Sequence, residues 1–381
     1  MEEIKIMINI PENKRNVPSL LTCIDGTEVK TAQDWINKRR PEILEMLRRE
    51  EYGRLPDMSD VEIKIQVTAV RQGPKIMNGR AVRKTVEVEA VRKERHFIFT
   101  FDVFIPADAK EPVPAFVEIC NRGPMNCDPA RENLSSFYPA ETIISRGYAC
   151  AAFRTHEVAP DYEEGFKTGF HRLFPDYVDN RPDDAWGTIT VWAWAASRVM
   201  DYFEMEPMID AAKVAVVGHS RGGKTALWCG AQDERFAMAI SSCSGNSGDA
   251  ISRGKTGESI AQILDRFPFW FAKNYQKYAN NEEAMPFDQH FLIALMAPRL
   301  VYTSTKTNDS WADPVSEFES LVQADPVYQL FGLEGLEQRE FSLPEQPLHN
   351  GHIGHHHKTG EHNMDDYDWD QYMDYADRHM K

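Results

Sequence analysis

Val214-Ala215-Val216-Val217 is an uncharged, β-favouring run that breaks at Gly218-His219-Ser220-Arg221-Gly222 and passes at once into the helix-forming stretch Gly223 to Ala231. A chain can go from strand to helix in so few residues only through a sharp bend. The Gly-x-Ser-x-Gly spacing supplies one, because the glycines remove side chains that would collide and the serine takes a strained backbone conformation. Ser220 Oγ is thereby lifted into the open. The five-residue pattern alone recurs by chance, but a strand before it and a helix after it are the context a nucleophile elbow requires.

The surrounding texture agrees with that unit. From Pro112 onward, continuous apolar runs alternate with helical patterns: Ala115 to Ile119, Ala149 to Phe153, Val214 to Val217, Phe236 to Ile240 and Leu300 to Tyr302. Such runs read as parallel strands buried on both faces. The first third differs. Thr31-Ala32-Gln33-Asp34 caps a helical stretch through Arg49 that ends at Tyr52-Gly53-Arg54-Leu55-Pro56. Val61 to Val67 and Thr85 to Ala90 then alternate with period two, and Phe97 to Ile105 is a third strand, so these pair antiparallel through short connections. Helices are expected over Trp186 to Met205, with Trp192 and Trp194 as packing residues, and over Asp366 to Met380. The fold class is α/β, with a mostly parallel central sheet, helices on both faces and antiparallel N-terminal strands. All 381 residues are expected to form one enlarged domain: 1–57 a helical extension, 58–110 the antiparallel strands, 111–381 the core.

Hydrophobic residues make up 42% of the chain, enough for a large core, and the net charge is −16 with the acids spread throughout. That distribution argues against nucleic acid or an anionic membrane as partner. A monomer is expected. Cys23, Cys120, Cys127, Cys150, Cys229 and Cys243 lack metal-ligand spacing. Cys120 and Cys127 could pair, though reduced thiols are expected. Met1-Glu2-Glu3-Ile4-Lys5 has no basic segment and no apolar core follows it, so the chain as given reads as unexported unless a leader was removed.

A serine hydroxyl needs a base within hydrogen-bond reach and a carboxylate to orient that base. In the α/β-hydrolase order both follow the nucleophile, the acid after a late strand and the histidine before a closing helix. Leu300 to Thr303 empties into a stretch with Asp309 and Asp313. Asp309 is the first choice as acid and Asp313 the reserve, since Pro314 behind it suits a helix cap. Gly351 to His362 is dense in imidazoles, and His362 is preferred as base on position, with His355 to His357 shaping the same loop. A metal reading of this stretch is set aside because Glu361 and Asp365 complete no recognisable ligand set. No cofactor is expected. His219 is read as packing or site lining, since neighbours at a tight turn point apart. The oxyanion donors expected are the Arg221 N–H, with its guanidinium, and the loop Cys120-Asn121-Arg122-Gly123-Pro124, where Asn121 and Gly123 allow close backbone approach. Lys224, one turn beyond Ser220, either reaches substrate hydroxyls or is a solvated surface lysine.

Gly218 to Lys224, Asp309-Ser310-Trp311-Ala312-Asp313-Pro314 and Gly360-Glu361-His362 together resemble the bacterial glucuronoyl esterases of carbohydrate esterase family 15. The similarity takes in Trp35 to Pro56, Trp186 to Tyr202, Arg253, Gly257-Glu258, Phe267 to Phe271 and Asp288 to His290 as well. The resemblance implies cleavage of esters between 4-O-methyl-glucuronic acid on xylan and lignin alcohols. It also implies that Arg221 stabilises the oxyanion, that Lys224 and Trp311 line the uronate pocket, and that Glu258 contacts the sugar. Related acetyl-xylan esterases share much of the pattern, so an acetyl esterase with the same triad is the alternative. Three departures stand out. His219 replaces a cysteine common in the family, Cys243 occupies a place where some members carry the triad acid, and no export signal is present. Cys243 cannot act as that acid, which puts the burden on Asp309 and leaves a sugar-binding homologue without turnover as a further alternative.

Overall fold

The computed structural model describes residues 15–381. Residues 1–14, including the start of the chain considered above for a leader, lie outside the described residues. Nine strands form one sheet: β1 (Glu62–Arg71), β2 (Ala81–Arg92), β3 (Arg95–Pro106), β4 (Val113–Cys120), β5 (Ala149–Arg154), β6 (Ile209–His219), β7 (Met238–Ser242), β8 (Leu300–Lys306) and β9 (Ile353–Lys358). Their spatial order is β1-β2-β3-β5-β4-β6-β7-β8-β9. The first three are antiparallel and join the parallel remainder through β3 on β5. Both halves of the sequence thus build one sheet. The parallel strands, the helices flanking them and the elbow after β6 make this an α/β-hydrolase fold.

The principal helices are α1 (Arg40–Glu50), α2 (Thr188–Met205), α3 (Arg221–Gln232), α4 (Pro314–Leu330) and α5 (Asp366–Met380). Before α1, Thr31 and Asp34 form the capping box that starts Ala32–Asp34, and a π turn over Trp35–Arg39 carries the chain into the helix. Two apolar clusters lie on opposite faces of the sheet. Val214 and Val216 of β6 point into one, with Trp192 of α2, Leu227 of α3 and Leu321 of α4. Ala215 and Val217 point into the other, with Phe116, Tyr148 and Trp369 of α5. Uninterrupted apolar strands are required because both faces are covered. Among the described residues, no helix is long and apolar enough to cross a membrane.

One expectation fails here. The histidine-rich stretch read as a loop is in part β9, parallel to β8. His355, His356 and His357 are buried, and burial pulls all three imidazoles below their ordinary pKa, so they sit neutral in the sheet. Their Nδ1 atoms face hydroxyls on the neighbouring strand: Thr303 Oγ1 at 2.9 Å, Tyr302 OH at 3.1 Å and Thr305 Oγ1 at 2.7 Å.

Candidate active site

The turn at the end of β6 is built as its glycines require. Ser220 has φ 57 and ψ −122, a strained conformation for a side-chain-bearing residue. A Cβ on Gly218 would lie 2.2 Å from the Gly222 carbonyl oxygen, and one on Gly222 would lie 3.0 Å from that of Ile119. A side chain at Gly218 would collide with backbone, and one at Gly222 would crowd the Ile119 carbonyl. The Ser220 N–H donates to the Ser242 carbonyl at 2.8 Å, while its own carbonyl accepts from Gly223 and Lys224 as α3 begins. Arg221 occupies the first position of that helix, where a backbone N–H has no intrahelical partner.

Ser220 and His362 line one cavity of about 490 Å³, together with Arg221, Lys224, Glu258 and Trp311. Behind the histidine, His362 Nδ1 lies 2.6 Å from Asp309 Oδ2. The carboxylate is 3% exposed and the imidazole side chain 41% exposed, so the pair presents a buried acid behind an accessible base. The backbone holds this geometry. Beyond the strand pair β8–β9, Thr307 N–H donates to the Lys358 carbonyl at 2.9 Å and Asn308 N–H to that of Gly360 at 3.0 Å. Asn308 Nδ2 adds a bond to Glu361 Oε1 at 2.8 Å. Past the histidine, Asp365 caps α5 and Asp368 in its first turn is ion-paired with Lys306 and bonded to His356 Nε2 at 2.8 Å. The His362 loop is therefore tied down at both ends.

Asp313, the reserve acid, is engaged elsewhere. It sits at φ 66 as the cap of α4, accepting from Ser316 N–H at 3.3 Å, Ser316 Oγ at 2.5 Å and Thr256 N–H at 2.7 Å. Those bonds hold its carboxyl below the usual range despite burial. Cys243 Sγ lies within 4.8 Å of both the Asp309 carboxylate and a His362 ring nitrogen. Burial pushes that thiol well up, so it stays protonated beside the acid. His219 packs its ring 4.5 Å from that of His362, and burial with the neighbouring imidazole keeps it neutral. It is 1% exposed and packs beside the base rather than on the cavity wall.

The reading of Lys224 as a surface lysine does not hold. It is 3% exposed, its ammonium donates to the Ser244 carbonyl, and it forms part of the cavity. Gly123 lies in open space, with nothing within 4 Å of where its Cβ would be, and with Asn121 it borders a neighbouring cavity of about 380 Å³. Asn121 does approach the elbow, its Cγ 3.6 Å from a Cβ built on Gly222. Several groups at or behind the cavity wall escaped the residue-level reading. Asp161 Oδ2 pairs with Arg221 Nη1 at 3.0 Å while its Oδ1 accepts from Trp270 Nε1 at 2.6 Å. The Arg221 guanidinium also lies 5.1 Å from the Trp270 ring, which stacks on Phe267 at 3.9 Å. Arg266 sits over Trp311 and 4.0 Å from Glu258. Asp161 lies in an irregular segment with no periodicity that could have singled it out. The arrangement offers a nucleophile, a base with its acid, and cations beside the place where negative charge would develop.

A family model described as glucuronyl esterase, fungi, matches residues 88–332. Carbohydrate esterase MZ0003, from an unknown prokaryotic organism, is 36% identical over 96% of this chain and 90% of its own. The 4-O-methyl-glucuronoyl methylesterase of Phanerochaete carnosa is 26% identical over 85% of this chain and 74% of its own. Among solved structures, the glucuronoyl esterase from Solibacter usitatus superposes with a TM-score of 0.88 at 32% identity, covering 100% of both chains.

Proposed function

The chain belongs to the glucuronoyl esterases of carbohydrate esterase family 15, and from that premise we propose that Ser220, His362 and Asp309 carry out carboxylic ester hydrolysis in it through an acyl-enzyme. His362 takes the Ser220 proton as Oγ attacks the ester carbonyl, then returns it to the departing alcohol. Asp309 fixes the tautomer by accepting from Nδ1, which leaves Nε2 free to act as base. The carbonyl oxygen becomes an oxyanion held by the Arg221 N–H, with the guanidinium beside it and Asn121 across the elbow. Water, deprotonated by His362, attacks the acyl-enzyme and releases the uronate carboxylate. Lys224, Glu258 and Trp311 hold the sugar.

The observation that carries this reading is the 2.6 Å contact between His362 and Asp309 at a cavity the elbow serine shares. The substrate class follows from the relatives, which are named for 4-O-methyl-glucuronoyl esters. Hydrolysis of benzyl glucuronate ester tests the proposal. Ser220→Ala and His362→Ala should each lower kcat by at least about 10³-fold. Activity retained in either variant removes that residue from the mechanism. A preference for 4-nitrophenyl acetate over methyl and benzyl glucuronate would instead mark an acetyl esterase.

A further inference from the structure

One wall of the cavity is the turn after β7, containing Cys243, Ser244 and Gly245. Within five residues, Cys243, Gly245 and Ser247 have φ values of 49, 61 and 55. Residues other than glycine keep that conformation only where their surroundings impose it. Here two carboxyls do so. The Gly245 N–H donates to Asp249 Oδ1 at 3.0 Å and to Glu317 Oε1 at 2.9 Å. Ser241 Oγ donates to Asp249 Oδ2 at 2.9 Å, and the Asp249 N–H donates to Ser244 Oγ at 2.9 Å. The Ser244 carbonyl in turn receives the Lys224 ammonium.

Asp249 and Glu317 are both fully buried, come from separate elements and are side by side within hydrogen-bond reach. Lys224 of α3, Lys255, Asp309 and the Tyr52 phenol face them. Burial pushes both carboxyls upward, the neighbouring Asp249 adds to the rise at Glu317, and two adjacent buried carboxylates cannot both ionise near neutrality. Glu317 Oε2 is buried and no N–H or O–H group donates to it, which leaves it free to carry a proton.

We propose that Asp249 and Glu317 hold one proton between them and act as positioning residues for the Ser244–Gly245 wall and for Lys224. The pair then presents a single negative charge to Lys224. Loss of its proton adds a second buried charge, drives the carboxyls apart and moves Gly245 and Ser244 with them. The inference rests on the uronate-ester reading of the cavity, since it concerns the groups that hold the sugar.

Glu317→Gln tests it, because the amide keeps an acceptor for Gly245 and a donor for Asp249 yet cannot ionise. At neutral pH its kcat and KM on benzyl glucuronate should stay within about twofold of the parent. At alkaline pH the parent's KM should rise several-fold while the variant's stays flat, with 4-nitrophenyl acetate, which needs no sugar wall, unaffected in both. An equal rise in Glu317→Gln assigns the titration to another group, such as Lys224, and overturns the proposal. Thermal unfolding gives a readout independent of turnover. The folded parent holds a proton that the unfolded chain releases, so it should lose stability relative to Glu317→Gln as pH rises. Parallel curves overturn the proposal, whereas diverging curves without uronate hydrolysis overturn only the functional reading. If Glu317→Gln does not fold, Asp249→Asn also leaves one ionisation and should abolish the same alkaline limb; its persistence there counts against the pair.

Discussion

Asp309 and Asp313 show how far residue-level reasoning reaches and what then decides. Spacing after a late strand admits both, and Pro314 tilts Asp313 toward capping. The bonds Asp313 makes to Ser316 and Thr256 leave it no capacity to replace its neighbour. Asp309→Asn should therefore cost on the order of 10³-fold in kcat, since an amide that donates to Nδ1 selects the wrong tautomer. Asp313→Asn should leave kcat within a few-fold and lower stability by about 1 kcal/mol through the weakened cap. Comparable kcat losses in the two variants would contradict the proposed acid. The elbow was legible because Gly218 avoids a backbone collision and Gly222 a tight backbone contact, which local sequence records. Asp161 was not, because it acts on Arg221 only after a distant loop has folded over the helix start. Asp161→Asn should preserve the Trp270 bond yet release the guanidinium. Its effect belongs in kcat if Arg221 serves the oxyanion, with a change of about tenfold expected and measured on benzyl glucuronate.

At the scale of elements, strands with apolar runs or clean alternation could be read from the chain, whereas β9 could not. Histidines count as polar in any hydropathy pattern, but a neutral imidazole bonded across strands to a threonine or tyrosine hydroxyl is at home in a buried sheet. Hydrogen-bond complementarity between β8 and β9 makes this strand, and only the register reveals the partners. The same pair of strands anchors α5. Lys306 and His356 converge on Asp368, all three buried, and the two partners pull the Asp368 carboxyl far below its usual range against its burial. A charge pair of this kind is costly to break because the surviving ion has no solvent. Asp368→Asn should destabilise the fold by about 3 kcal/mol in urea denaturation, with Lys306 left uncompensated. A loss below about 1 kcal/mol would mean that water reaches the lysine.

For the whole molecule, acidification should matter before ordinary carboxylates titrate. Burial holds His171 near a pKa of about 3, and His290 and His357 at about 4. The unfolded chain takes up protons at these positions as pH falls below about 6.5 while the native protein does not, so each should cost up to about 1.4 kcal/mol per pH unit. Glu51 acts in the other direction, since burial raises it to about 8 and the native state holds its proton between about pH 4.5 and that value. The melting temperature should accordingly peak near neutrality and drop between about pH 7 and pH 5, as scanning calorimetry would record. A flat profile over that interval would show that the native imidazoles take up protons along with those of the unfolded chain. The bonds from Thr307 and Asn308 to Lys358 and Gly360 join the acid's segment to the base's segment, whereas the elbow hangs from β6, two strands away. Acid and base are thereby held in register with each other by backbone bonds, so the imidazole is already oriented before a substrate arrives.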